Sequence, residues 1–169
     1  MPFTLHSFVG LYERVLGTLS HILDKGEVFA TEKGIPTDEM LDWKLIDDMA
    51  PLRFQIMVVV NFTRSWTARV AGQPAPTDIE QTLDLAGFRA AIADAKAHLA
   101  AVEPAHFEGR EQEPLTVKLG EIMEPTLPAG QWLSVFATTN IYFHLSIAYA
   151  ILRMKGVPIG KPDLFAGGL

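Results

Sequence analysis

Residues 130–155 read GQWLSVFATTNIYFHLSIAYAILRMK and stop against Gly156 and Pro158. Leu133, Ala137, Asn140, His144, Ile147, Ile151 and Met154 recur there in alternating steps of four and three. That spacing lays one stripe along an α-helix, so a long helix from about Gly130 to Lys155 is predicted, with Asn140 and His144 on its inward line. Its most apolar part, Ile141 to Leu152, is interrupted by His144 and Ser146 and falls short of the roughly 20 residues of a membrane span.

The same period recurs three times upstream. Phe8, Tyr12, Val15, Leu19 and Ile22 mark a first helix, expected to continue past Gly26 to Gly34, which suits a left-handed cap before Pro36. A short helical turn, Thr37 to Trp43, leads to a second long helix, expected to begin between Asp47 and Pro51 and to end near Gly72. Its stripe is written Asp48, Leu52, Gln55, Val59, Phe62, Trp66. Residues Gln73 to Thr82, broken by Pro74 and Pro76, read as a loop. A third helix, Asp84 to Val102, carries Leu85, Phe88, Ile92, Ala95 and Leu99, and Pro104 closes it. Between Pro114 and Pro128 the alternation of Leu115, Val117 and Leu119, followed by Gly120-Glu121, predicts a β-hairpin whose turn begins on glycine. The expected fold is all-α: an antiparallel four-helix bundle over residues 1–169, one domain, with a small β-hairpin before the last helix.

Composition narrows the chemistry. The 169 residues include no cysteine, carry a net charge of -6, and are 49% hydrophobic and 20% charged; the mean hydropathy is +0.18. Nucleic acid is an unsuitable partner for an acidic chain without a basic surface. Disulfides, thiolate metal sites and cysteine nucleophiles are excluded. Met1 to His6 is followed by Glu13 and Arg14 before any apolar core a signal peptide needs, so a soluble cytoplasmic protein is expected, with no membrane partner. The charged share lies below the ~25% of an average chain, which points to a homodimer that covers surplus apolar helix surface.

Bundle sites are built from inward polar side chains, which selects Asp48, Gln55, Asn140 and His144 as residues expected to line one cavity. His144 is the titrating candidate, because imidazole changes charge near neutrality. A histidine hydrogen-bonded to Asn140 for stability alone is the structural alternative. Asp48 has a competing role as a helix N-cap, and Gln55 has less reason to sit inside. Tyr142 and Tyr149 flank the stripe, and Tyr149 is kept as a ligand-binding candidate. His6, His21, His98 and His106 fall off the stripes and are expected in solvent. No HExxH or HxxxH pair occurs, and Gly156-Val157-Pro158-Ile159-Gly160-Lys161 lacks the spacing of a phosphate loop, so it reads as a helix stop and tail.

Leu23-Asp24-Lys25, Asp48-Met49-Ala50-Pro51-Leu52 with Gln55, Asn140-Ile141-Tyr142-Phe143-His144, Ala148-Tyr149-Ala150-Ile151-Leu152-Arg153 and the following Gly156 to Lys161 together resemble the domain-of-unknown-function family numbered nineteen-ninety-three. The resemblance covers almost the whole chain. It implies the four-helix bundle of the DinB/YfiT-like superfamily, whose better-known members look like metal-dependent transferases and an isomerase. Those relatives take one histidine from the second helix and two, four residues apart, from the fourth. Asn140 and His144 match the latter pair with one ligand replaced by an amide, and Asp48 or Gln55 stands nearest the missing ligand. Amides bind zinc and nickel poorly, so no cofactor is expected, with a divalent metal as the alternative.

Three functions follow: a small-molecule-binding bundle with a degenerate site, in which His144 titrates and Asp48, Gln55 and Asn140 orient a ligand; a metal-dependent transferase or hydrolase using Asp48 and His144; or a noncatalytic dimerisation module whose polar seam fixes helix register.

Overall fold

The computed structural model describes residues 4–168. Helix α1, Ser7–Glu32, buries Phe8, Tyr12, Val15, Leu19 and Ile22. It passes Gly26 without a break because that face lies against a neighbour: a Cβ on Gly26 would stand 3.0 Å from a Leu152 methyl and 3.2 Å from the Met40 sulfur. Gly34 ends the helix at φ +67°, and Ile35 N–H returns to the Ala30 carbonyl at 2.8 Å, closing a Schellman cap. Helix α2, Thr37–Leu41, follows.

Helix α3, Leu52–Val70, starts later than its stripe implied. Its N-cap is Pro51, with no side-chain cap, and Leu52 N–H is satisfied by the Trp43 carbonyl at 2.8 Å. Asp48 is therefore neither cap nor stripe; it lies exposed in the turns before the helix. Helix α4, Leu85–Ala100, is capped by the Asp84 carboxylate accepting from Gly87 N–H. The hairpin pairs β1, Pro114–Thr116, with β2, Thr126–Pro128, in a register that an isolated bridge between Leu119 and Met123 continues to the turn. Gly120, at φ +60°, opens that turn as expected.

The last helical run is α5, Ala129–Gln131, a π-helical segment, Trp132–Ala137, and α6, Thr138–Met154. Side chains satisfy carbonyls of the widened turn and its flanks. Ser134 Oγ donates to Gly130 O at 2.6 Å, Thr138 Oγ1 to Leu133 O at 2.8 Å, and Asn140 Nδ2 to Phe136 O at 2.8 Å. The residues buried on α6 are Ile141, Leu145, Ala148, Ile151 and Leu152. The core stripe thus runs one residue beyond the expected line, about 100° round the helix. Asn140, His144 and Ile147 sit half-buried at its edge, and Met154 is exposed.

Contacts fix the helix directions. His6 Nε2–H, at the start of α1, donates to Val102 O beyond α4 at 3.0 Å, and Arg89, early in α4, binds Asp24 and Glu27, late in α1. The two helices are antiparallel. So are α3 and α6: Gln55 meets His144 near one end and Trp66 meets Phe136 near the other. Tyr12 reaches Thr138, so α1 and α6 run parallel. The connection from α3 to α4 must return the length of the bundle, and α3 supplies polar side chains to hold it. Asn61 binds both backbone groups of Ile79, donating to O at 3.1 Å and accepting from N–H at 2.9 Å. Arg64 Nη2 reaches Thr77 O at 3.1 Å, and Arg53 reaches Gln81 O at 3.2 Å and Leu83 O at 3.3 Å. The buried apolar residues form one cluster inside this frame. The run Ala129–Met154 is long and apolar enough to cross a membrane by length and composition, with 33% of its most apolar window buried. Its inner face supplies Trp132, Ile141 and Leu152 to the bundle core.

Candidate functional site

Gln55 and His144 meet where α3 and α6 cross. Gln55 is 2% exposed. Its Nε2 donates to the Ala50 carbonyl at 3.0 Å, a bond that only an N–H can make, so Oε1 is turned to His144. His144 Nδ1 stands 2.7 Å from that oxygen. An amide oxygen only accepts, so the proton is on Nδ1 and neutral His144 keeps its lone pair on Nε2. Nε2 receives no hydrogen bond from a described residue and is not fully buried.

Two rings frame the imidazole edge-to-face: Phe54 at 5.9 Å between centroids and Phe143 at 5.1 Å. Phe143 is 55% exposed. Burial pushes the His144 imidazole below its ordinary value, so it is neutral at pH 7 and presents an unprotonated nitrogen beside aromatic surface.

The other expected members are placed differently. Asp48 is exposed outside α3 and makes no hydrogen bond to Gln55, Asn140 or His144. Asn140 lies one turn before His144 on the same face, but its amide nitrogen is tied to Phe136 O, so it serves its own helix. Tyr149, five residues past His144, is about 140° round the helix, packed against the core on the far side. The four residues Asp48, Gln55, Asn140 and His144 therefore do not close one cavity; the site is the Gln55–His144 pair with its two phenyl rings. Phe54 and Phe143 were not singled out from the sequence, although each directly precedes a chosen polar residue.

The four histidines expected in solvent have partners or are buried. His6 binds Val102 O and packs on Phe107, His21 binds Asp163, and His106 Nδ1 accepts from Glu103 N–H. His98 Nε2 is buried without a partner, as is Nε of Arg64. Burial, and then the charge of Arg64, push the His98 imidazole down. Each partner lies in a connecting segment or on another helix, which a search along single stripes does not reach.

The superfamily resemblance implies a transition metal, and the donor set available to one is small. It offers one imidazole whose Nδ1 is held by Gln55 and two carboxamides whose nitrogens are tied to backbone carbonyls. No group of three or more His, Cys, Asp or Glu able to hold a metal ion occurs among the described residues. The residues at Gln55, Asn140 and His144 do not fit a tightly held zinc or nickel ion, which takes three imidazole, thiolate or carboxylate ligands.

The model of the family described as "Domain of unknown function (DUF1993)" matches residues 5–165. A crystal structure of a DinB family member protein from Shewanella denitrificans superposes with a TM-score of 0.86 at 29% identity, covering 95% of this chain and 90% of that one. No curated protein matches.

Proposed function

Starting from the fact that the chain belongs to the DUF1993 family and has the DinB-like fold, we propose that it binds a small molecule at the Gln55–His144 pair. The observation that carries this reading is the orientation of Gln55: its bond to Ala50 leaves only an acceptor for His144, and so directs the free lone pair of the imidazole outward. A ligand with an O–H or N–H donor on a flat apolar body suits both the lone pair and the rings of Phe54 and Phe143. His144 Nε2 then accepts a hydrogen bond, or takes a proton where the bound molecule is acidic enough. Asn140 is a neighbouring positioning group through the oxygen its helix does not use.

Val135 and Met154 leave apolar surface on the outer side of the last helical run. A second copy covering that surface gives the homodimer this reading includes, and the cysteine-free composition agrees with a cytoplasmic setting. Light scattering at micromolar concentration tests the dimer, and a monomer there rejects it.

Phenol is a suitable probe of the site, since it joins one donor to one aromatic face. Titration followed by amide and imidazole NMR signals is expected to move Phe54, Phe143 and His144 together. His144→Phe is expected to weaken binding by about tenfold, the loss of one good hydrogen bond. Shifts centred elsewhere, or equal binding by His144→Phe, count against the proposal.

A further inference from the structure

The opposite side of α6 carries a second cleft, independent of the pair above. Tyr142 and Ser146 of α6 face Arg14 and Val15 of α1 across it, and Leu164 and Phe165 of the C-terminal segment form its third wall. The cleft holds about 310 Å³.

The third wall is built and held in place. A 3₁₀ turn, Lys161–Phe165, brings the chain back onto α1. Asp163 Oδ1 accepts from His21 Nε2 at 2.7 Å and from Lys25 Nζ at 2.8 Å, while Oδ2 accepts from Gly160 N–H at 2.7 Å. Those donors hold the Asp163 carboxyl well below the usual carboxylate range, the Lys25 hydrogen bond first among them. Thr18 Oγ1 then donates to Leu164 O and accepts from Gly167 N–H, each at 3.2 Å. Gly167 lies so near α1 that a Cβ on it would fall onto the Arg14 carbonyl oxygen.

Within these walls the polar groups are unequal. Thr18 is committed to the tail. Arg14 is exposed and makes no ion pair with a described residue, and neither the Tyr142 hydroxyl nor the Ser146 hydroxyl makes a hydrogen bond with one. An apolar trough therefore carries at its rim one cation and two hydroxyls, with no carboxylate among its described lining residues. That arrangement is complementary to an anion with two acceptor oxygens on an apolar chain.

We propose that this cleft binds a medium-chain carboxylate, its headgroup on Arg14 and the rim hydroxyls, and its chain along Val15, Leu164 and Phe165. Octanoate joins one carboxylate to an apolar chain and serves as the probe. Calorimetric titration is expected to show saturable octanoate binding, with amide shifts in α1 near Arg14 and in residues 161–168. Arg14→Glu, an exposed change that leaves the core untouched, should weaken octanoate by about tenfold or more and change the affinity for octanol by less than about twofold, since only the carboxylate meets the charge. Phe165→Ala should weaken both. Absence of saturable octanoate binding overturns the proposal, as do equal octanoate affinities for the wild type and Arg14→Glu or shifts centred on Phe54 and His144. Phenol binding at His144 is read separately, so failure of one site leaves the other standing or falling by its own result.

Discussion

Replacing Gln55 by leucine examines the local architecture of the site. Leucine is close to glutamine in volume, so the cavity term of a large-to-small change is small. What is removed is a donor to Ala50 O at 3.0 Å and an acceptor for His144 Nδ1–H at 2.7 Å. A fully buried group left without a partner costs about 1–3 kcal/mol. Ala50 and His144 are half-buried, so both orphans belong at the lower end and together amount to about 2–3 kcal/mol. For a chain of this size, each kcal/mol lowers Tm by about 2–4 °C, which places the melting point of Gln55→Leu about 4–12 °C below wild type. Urea denaturation at pH 7.5 gives the free energy, and a cycle with His144→Phe isolates the pair. The double variant should be less destabilised than the sum of the singles, because removing both partners leaves no orphan between them. A loss under 0.5 kcal/mol for Gln55→Leu, or strict additivity in the cycle, would refute the claim that these two side chains hold each other.

The pH dependence of stability has a definite sign. Burial lowers the folded-state values of His144 and His98 below the ordinary 6.5, so the unfolded chain takes up protons first. Stability is complete above that value and falls as pH drops from about 7 towards 5, and His144→Phe reduces the slope in urea titrations across that window; an unchanged slope argues against burial of the imidazole. Asn61→Ala removes both bonds to Ile79 and one from Arg64, with an expected cost of about 2–4 kcal/mol and faster proteolysis within residues 71–84. A variant as protease-resistant as wild type contradicts the role given to Asn61. Elemental analysis of tag-free protein purified without added metal should find well under one transition metal per chain; one equivalent, lost on His144→Ala, would restore the metal-dependent reading.

The helices were legible because their ends are local chemistry. Gly34, Gly72 and Gly156 each adopt the positive φ of a helix stop, and α4 begins at Leu85, beside the Asp84 where the third helix was expected to start. The phase of the last helix was not legible. A π turn inserts an extra residue per turn without any signature in the 3.6-residue period, and the bonds that support it come from Ser134, Thr138 and Asn140, residues that read equally well as surface polar groups. The misreading of Asp48 has a simpler origin. A stripe extended backwards through Pro51 assumes the helix continues there, whereas the Trp43 carbonyl receives the first N–H of α3 and the chain turns away. Gln55 and His144 were both selected from the sequence, as members of a set of four and not as a pair, because each occupies a near-core position that an apolar residue would fill at no desolvation cost. Their aromatic neighbours escaped notice because Phe on a helix flank carries no polar signal.

The proposed site depends on the tautomer of one ring. Long-range proton–nitrogen correlation spectra of uniformly ¹⁵N-labelled protein, recorded from about pH 5 to 8, distinguish a protonated from an unprotonated imidazole nitrogen and give the titration midpoint in the same series. Neutral His144 is expected to carry its proton on Nδ1, with Nε2 showing the shift of a free lone pair, and to titrate below 6.5. In Gln55→Leu the Nδ1 preference should be lost. A wild-type spectrum with the proton on Nε2, or a midpoint above 6.5, would contradict the arrangement on which the proposed binding site depends.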